Sequence, residues 1–305
     1  MPPSLTDVDG MLAARAQAGI DLTIIGSPVG AGAMARVPGV DNYSQPRDRL
    51  RSFHAWMSGL IATFPDQLRG YVYANPFGDD DHLEGVRETL ADPAFVGLIT
   101  TSSVHGELLG SPRADSFFAL AAETGVPVLV HAPAEPIGTD RVDAFGFVEQ
   151  IGRFGDVTMG MAMIAFAGWL DKYPGLRLIG ATGGGALALL PERLQTAARP
   201  RHWGGGKPPV PSSAPAPSST PMSADPGGAL QRMYVDTSTF SPAHLGLNAE
   251  VLGPERMLFG TDSPPMSVPL EEFMHMIEKL PIDKASQQLI LGGNAEALFD
   301  LRSRP

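Results

Sequence analysis

Apolar residues follow two alternating rhythms along this chain. In some places they run consecutively for four to eight residues. In others they recur every three or four positions, which is the spacing of one helical face. The run Val126-Pro127-Val128-Leu129-Val130 is of the first kind, and it ends on His131 before a loop of small residues and prolines. Similar runs at 21–28, 68–76, 95–103, 176–185, 233–239 and 256–265 bring the predicted strands to seven. Between them the spacing predicts helices. Leu50, Phe53, Met57, Leu60, Ile61 and Phe64 mark one over 46–68, and others are expected over 5–18, 79–92, 113–125, 144–173, 186–198, 269–281 and 283–301. Ser4 or Thr6 is expected to cap the first, the acids at 79–81 suit a helix start, and Gly125 suits a helix end. Strand–helix alternation with apolar strands predicts an α/β fold: a parallel sheet covered by helices on its outer side.

One segment breaks the rhythm. Residues 199–228 are rich in Pro, Ser, Gly and Ala and cannot bury enough apolar surface to offset their ordering entropy. They read as a flexible loop inserted into a single barrel domain spanning 1–305, with a lid as the alternative.

Composition narrows the function classes. The net charge of −11 argues against nucleic acid, whose phosphates need clustered Lys and Arg. Without cysteine there are no disulfides, thiolate metal sites or thiol catalysis. No stretch of ~20 apolar residues predicts a membrane span, and the first residues lack the basic start and apolar run of a secretory signal. A soluble cytoplasmic protein is expected.

In parallel α/β barrels the functional groups stand at the C-terminal ends of the strands. Here those positions hold Ser103 and then His105, His131 followed by Glu135, Thr182 before Gly183-Gly184-Gly185, Asp236, and Asp262. A histidine and aspartates from distant parts of the sequence are the pieces of a metal or acid–base site that barrel closure would assemble. The remaining histidines, His54, His82, His202, His244 and His275, lie in helical or loop segments and read as structural or solvated.

The segments VPVLVHAP, LRLIGATGGGALALLPERL, MYVDTST, RMLFGTDSP and ILGGNAEALFDL, in that order, resemble the amidohydrolase-related (amidohydrolase 2) family, the family of aminocarboxymuconate-semialdehyde decarboxylase and the resorcylate and carboxyvanillate decarboxylases. The resemblance covers nearly the whole chain. It implies a distorted (β/α)8 barrel of the metal-dependent hydrolase type. It also implies one divalent metal, zinc or manganese, with His131 and Asp262 as ligands and Asp262 handling protons. Two features depart from the family pattern. The first strand with its His-x-His or Glu-x-His is absent from this chain, so a barrel lacking its first strand is expected. Thr182 stands where the family has a histidine before the glycines. A zinc ion would be left with fewer than the three protein ligands it normally takes, so weak metal binding or none is expected.

The resulting expectation is an enzyme that decarboxylates or hydrolyses a small aromatic or unsaturated carboxylate. Asp262, His131 and Thr182 would do the chemistry, and His105, Asp236, Ser103 and Glu135 would line the substrate. The alternative is a diverged pseudoenzyme, or a metal-independent lyase or hydratase, on the same barrel. Sheet edges left by the missing strand would favour association, so a homodimer is the partner state considered.

Overall fold

The period-two side-chain alternation of a strand decides which residues meet the helices and which face the opposite side. In the fourth strand, Val128 and Val130 pack among the helices, whereas Leu129 and His131 face the other way. In the computed structural model, residues 7–31, 34, 39–139, 144–196, 223–263 and 268–301 are described. Its seven main strands are β1 (Thr23–Ile25), β2 (Leu68–Tyr73), β3 (Phe95–Thr101), β4 (Val128–His131), β5 (Leu178–Gly180), β6 (Tyr234–Asp236) and β7 (Met257–Leu258). They pair in sequential order, every neighbour parallel, with β1 and β7 at the two edges. The seven-stranded parallel sheet is the one the apolar runs predicted, and among the described residues its two edge strands do not pair with each other.

Helix α1 (Val8–Gln17) precedes β1, and the strand-to-strand connections pass through helices on one side, including α2 (Arg47–Thr63), α3 (Asp80–Leu90), α4 (Asp115–Thr124) and α5 (Arg153–Phe166). Between sheet and helices lies the larger core, with Leu68, Val72, Phe95, Leu98, Phe117, Phe118, Met161 and Trp169. The other face carries a smaller cluster of Tyr71, Tyr73, Val96, Ile99, Ile179 and Leu258, joined by Leu298 and Phe299 of the C-terminal segment. A register shift between β2 and β3 lets Phe95 and Leu98 serve the helix side while Val96 and Ile99 serve the other.

Several elements differ from expectation. Asp7 caps α1 by accepting from the Gly10 amide at 2.9 Å, because it stands at the observed N-cap, and the proposed caps Ser4 and Thr6 lie outside the described residues. A small antiparallel hairpin, Ser103–Val104 with Glu107–Leu108, follows β3. Its two-residue turn is His105-Gly106, both at positive φ, the geometry that suits the twist of a tight hairpin. Single-residue periodicity could not reveal a strand pair this short. The helix expected over 186–198 is broken by Pro191 into a 3-10 turn, Leu187–Leu189, and a helix, Pro191–Gln195. Most of the 199–228 loop lies outside the described residues. Its last residues are corrected: Pro226–Gln231 is a helix capped by Asp225, and the Ser223 amide donates to the Phe166 carbonyl at 3.0 Å. Among the described residues no helix is long and apolar enough to cross a membrane.

Two histidines, the buried His54 and the half-buried His82, complete the sheet where β1 stops. Ile25 is the last β1 residue in register, opposite Gly70. Gly70 and Ala74 donate their amides toward β3, so Tyr73 and Asn75 face the side that β1 has vacated. His54 Nε2 on α2 accepts from the Tyr73 amide at 3.2 Å, and His82 Nε2 on α3 accepts from the Asn75 amide at 2.9 Å. Only a neutral imidazole can accept, and burial, aided by the neighbouring His82, pushes the His54 pKa down to about 4. Burial lowers that of His82 too. A folded-state pKa below the unfolded value gives stability that is present above the unfolded pKa and lost as pH falls through the folded one. Unfolding free energy is therefore expected to fall between about pH 6.5 and about pH 4, by the order of 3 kcal/mol for His54 alone. Denaturant titrations across that range measure it, and a flat profile would contradict the role of these rings.

Candidate active site

His131 ends β4 on the face opposite the helices because it sits two residues beyond Leu129. Its Nδ1 lies 2.9 Å from the Ala132 carbonyl oxygen, an acceptor, so Nδ1 carries the hydrogen and donates. Nε2 then points across the strand ends to Asp262 Oδ1, 3.6 Å away. That separation exceeds a direct hydrogen bond and leaves both atoms able to engage a third group. The His131 side chain is largely buried, while that of Asp262 is 37% exposed, so the pair opens to solvent on the aspartate side. Burial, the largest influence, depresses the basicity of His131. Asp262, the Ala132 carbonyl and Asp236 together outweigh it and leave the pKa raised.

Asp236, at the end of β6, is spent on the scaffold. Its Oδ1 accepts from the Gly183 amide at 2.8 Å and the Ser238 amide at 3.1 Å, and its Oδ2 from the Ser238 hydroxyl at 2.7 Å. Burial raises its pKa against these donors. It thereby clamps the glycine turn after β5. Gly184 in that turn has φ +74, and a Cβ there would meet Val235 Cγ1 at 2.4 Å, so no other residue fits. Thr182 precedes it in the left-handed region at φ 52, a costly conformation for a β-branched residue. Its hydroxyl donates to the Ala181 carbonyl at 2.7 Å, which leaves the oxygen lone pairs free to accept. Asp262 shares this left-handed conformation at φ 51.

The other candidates separate from this pair. Ser103 is fully buried, and its hydroxyl donates to Asp156 Oδ2 at 2.9 Å. Its side chain therefore belongs to the scaffold as the structure stands. His105 is exposed at the hairpin tip, 3.3 Å from Asp41 Oδ1, with its ring edge-on to Tyr43. Glu135 is half-buried in the loop after β4, whose Ala134 amide donates to the Tyr43 hydroxyl at 3.0 Å. Tyr43 thus ties the loops after β1, β3 and β4 into one rim.

Three residues of consequence were not foreseen. Asp156, wholly buried on α5, accepts from Ser102 Oγ at 2.6 Å, Ser103 Oγ at 2.9 Å and the Ile137 amide at 2.8 Å. Its sequence signal was an acid within an apolar helix. His244 places its ring against Gly183, with Nδ1 3.0 Å from the Thr239 hydroxyl. No sequence spacing linked it to that turn. Arg15 is buried on the apolar stripe Val8, Met11, Leu12 of α1, a charge where the period calls for a hydrophobe.

Among the described residues, no group of three or more His, Asp or Glu side chains could hold a metal ion. His131 and Asp262 are two donors, and the next carboxylate, Asp236, already has its oxygens occupied. Among the described residues this donor set falls short of the three protein ligands that a zinc ion takes.

The model of a family described as amidohydrolase matches residues 3–301. The chain belongs to that amidohydrolase family. A relative named 2-amino-3-carboxymuconate-6-semialdehyde decarboxylase, from Dictyostelium discoideum, is 22% identical over 269 residues, 86% of this chain and 70% of that protein. Among solved structures, 5-carboxyvanillate decarboxylase from Sphingomonas paucimobilis superposes with a TM-score of 0.76 at 20% identity, covering 95% of this chain and 82% of its own. A dihydroxybenzoic acid decarboxylase from Polaromonas, with bound manganese and the inhibitor 2-nitroresorcinol, gives 0.76 at 18%, covering 96% and 86%. These matches agree with the family and the barrel that the quoted segments implied.

Proposed function

We propose that this amidohydrolase-family chain is a carboxy-lyase acting on a small aromatic or unsaturated carboxylate. The observation that carries the reading is the His131–Asp262 pair at the strand ends. One imidazole nitrogen is fixed by a backbone carbonyl, and the other faces a carboxylate that reaches solvent. The family membership and the names of its decarboxylase relatives support the substrate class.

Decarboxylation exchanges a carbon–carbon for a carbon–hydrogen bond. The substrate carboxylate leaves as neutral CO2, the bonding electron pair stays on the substrate carbon, and a proton adds there. The His131–Asp262 pair supplies that proton and regains it from water through the exposed carboxylate. In this reading Thr182 offers its hydroxyl oxygen to the substrate as an acceptor, and His105 and Glu135 belong to the loops by which the substrate enters. Incubation with a panel of hydroxybenzoates and unsaturated dicarboxylates in D2O tests the reading. It expects CO2 release with one deuterium at the vacated carbon for a member of the panel. Binding without CO2 release would move the protein to the pseudoenzyme class.

The reading includes no resident metal. After dialysis, purified protein is expected to hold far less than one metal ion per chain by plasma mass spectrometry. Stoichiometric zinc or manganese would show that other donors complete the site. Association of two copies through the open edges of β1 and β7 also belongs to this reading, and light scattering measures it.

A further inference from the structure

The two histidines that complete the sheet use only one side of each ring for it. Nε2 of His54 and of His82 accepts a backbone amide, so the hydrogen of each neutral ring sits on Nδ1, which must donate. Neither Nδ1 has a partner among the described residues. His54 is only 4% exposed, and a buried donor without an acceptor is costly.

Both rings stand in the wall of one cavity of about 360 Å³, between α2 and α3. Leu50, Ala55, Val86 and Phe95 give it apolar sides. A third donor belongs to the same wall. Arg47 Nε is shielded from solvent with no partner among the described residues, while Nη1 and Nη2 of that guanidinium bridge Asp81 and Glu88 on α3. Gly85 lies between those two carboxylates, and a Cβ there would meet Arg47 Nε at 3.2 Å. The glycine thus makes room for Arg47 in a helix interior where glycine otherwise lowers stability. The hydroxyls of the wall are already spent. Ser58 donates to Asp92 at 2.5 Å, Thr89 to the Gly85 carbonyl at 2.8 Å and Tyr73 to the Tyr43 carbonyl at 2.8 Å. What remains is a set of N–H donors on an apolar ground. The charges of the wall balance, Arg47 and Arg51 against Glu88 and Asp92, with both imidazoles neutral.

We propose that the cavity between α2 and α3 is a binding site for a small neutral molecule with an apolar ring and a hydrogen-bond-accepting oxygen, which takes the Nδ1 hydrogens of His54 and His82. An anion would find no surplus cation beside Glu88 and Asp92, and a hydrocarbon would leave the donors unpaired. Neither His131 nor Asp262 lines this cavity, and the proposal does not depend on the decarboxylase reading.

The test is a titration of the full chain, carrying isotopically labelled histidine, with acetophenone, ethylbenzene and benzoate. Proton–nitrogen correlation spectra of the imidazoles follow it. Acetophenone supplies the ring and a carbonyl oxygen, ethylbenzene the same outline without the acceptor, and benzoate a charge. Acetophenone is expected to move the His54 and His82 ring signals in a saturable way and to leave that of His131 in place, while the other two bind roughly 10-fold more weakly or not at all. His82→Phe removes one donor and is expected to weaken acetophenone roughly 3- to 10-fold, the usual worth of a neutral hydrogen bond. Ala55→Phe, at an exposed α2 position in the cavity wall, fills the space while keeping both histidines. It is expected to abolish the shifts even if His82→Phe does not fold. The proposal is overturned if acetophenone moves neither ring, which would leave the cavity to water. It is also overturned if ethylbenzene or benzoate binds as well, if a folded His82→Phe or Ala55→Phe binds acetophenone unchanged, or if only the His131 signal moves. Turnover of a decarboxylation substrate is measured separately, so either reading can fail alone.

Discussion

Asp262→Asn is expected to leave a folded protein whose turnover falls roughly 10²- to 10⁴-fold, the usual cost of removing a positioned acid or base. The substitution keeps the shape of the side chain at a backbone position that already favours Asn, since φ is 51 and Asn tolerates the left-handed region. It removes the charge that His131 Nε2 faces at 3.6 Å and the group that connects the pair to solvent. With that carboxylate gone, the burial that depresses His131 is opposed only by the Ala132 carbonyl and Asp236, so the alkaline limb of the pH–rate profile, where the proton donor is lost, should move to lower pH. Turnover and melting temperature are measured together. An active Asp262→Asn beside a dead Asp236→Asn would show that the wrong aspartate carries the chemistry. Unfolding of both would make the carboxylates structural.

Asp156→Ala is expected to be the most damaging substitution for stability, at about 3–5 kcal/mol, because it removes one member of a buried charged network and strands the others. Ser102, Ser103 and the Ile137 amide would all lose their acceptor, the two serines at fully buried positions. The loop after β4, which follows His131, is tied down by that Ile137 bond, so activity should fall along with stability. Denaturant unfolding of both proteins measures the difference. A change under ~1 kcal/mol would show that the hydroxyls and amide find other partners.

The sequence alone determined the elements whose physics is local. Seven apolar runs separated by amphipathic helices allow little besides a parallel sheet with helices on one side, and all seven strands are there in order. Period two was enough to place Leu129 and His131 together, away from Val128 and Val130. The same pattern could not show the hairpin at Ser103–Leu108, which is too short for any periodicity, nor the break at Pro191.

Site chemistry was legible as residue types at strand ends and not as partnerships, because hydrogen bonds between residues far apart in sequence leave no mark on spacing. Ser103 and Asp236 looked like His131 and Asp262 in the sequence. Only the folded chain turns the first two toward Asp156 and the glycine turn and leaves the last two facing each other. The same holds for charge. Arg15 reads as an ordinary helix arginine until packing buries it, and His54 and His82 become backbone acceptors only because β1 stops opposite Gly70. Local propensity and apolar period specify where the backbone goes. Desolvation, which sets what a charged or polar side chain must find as a partner, exists only once the tertiary structure has excluded the water.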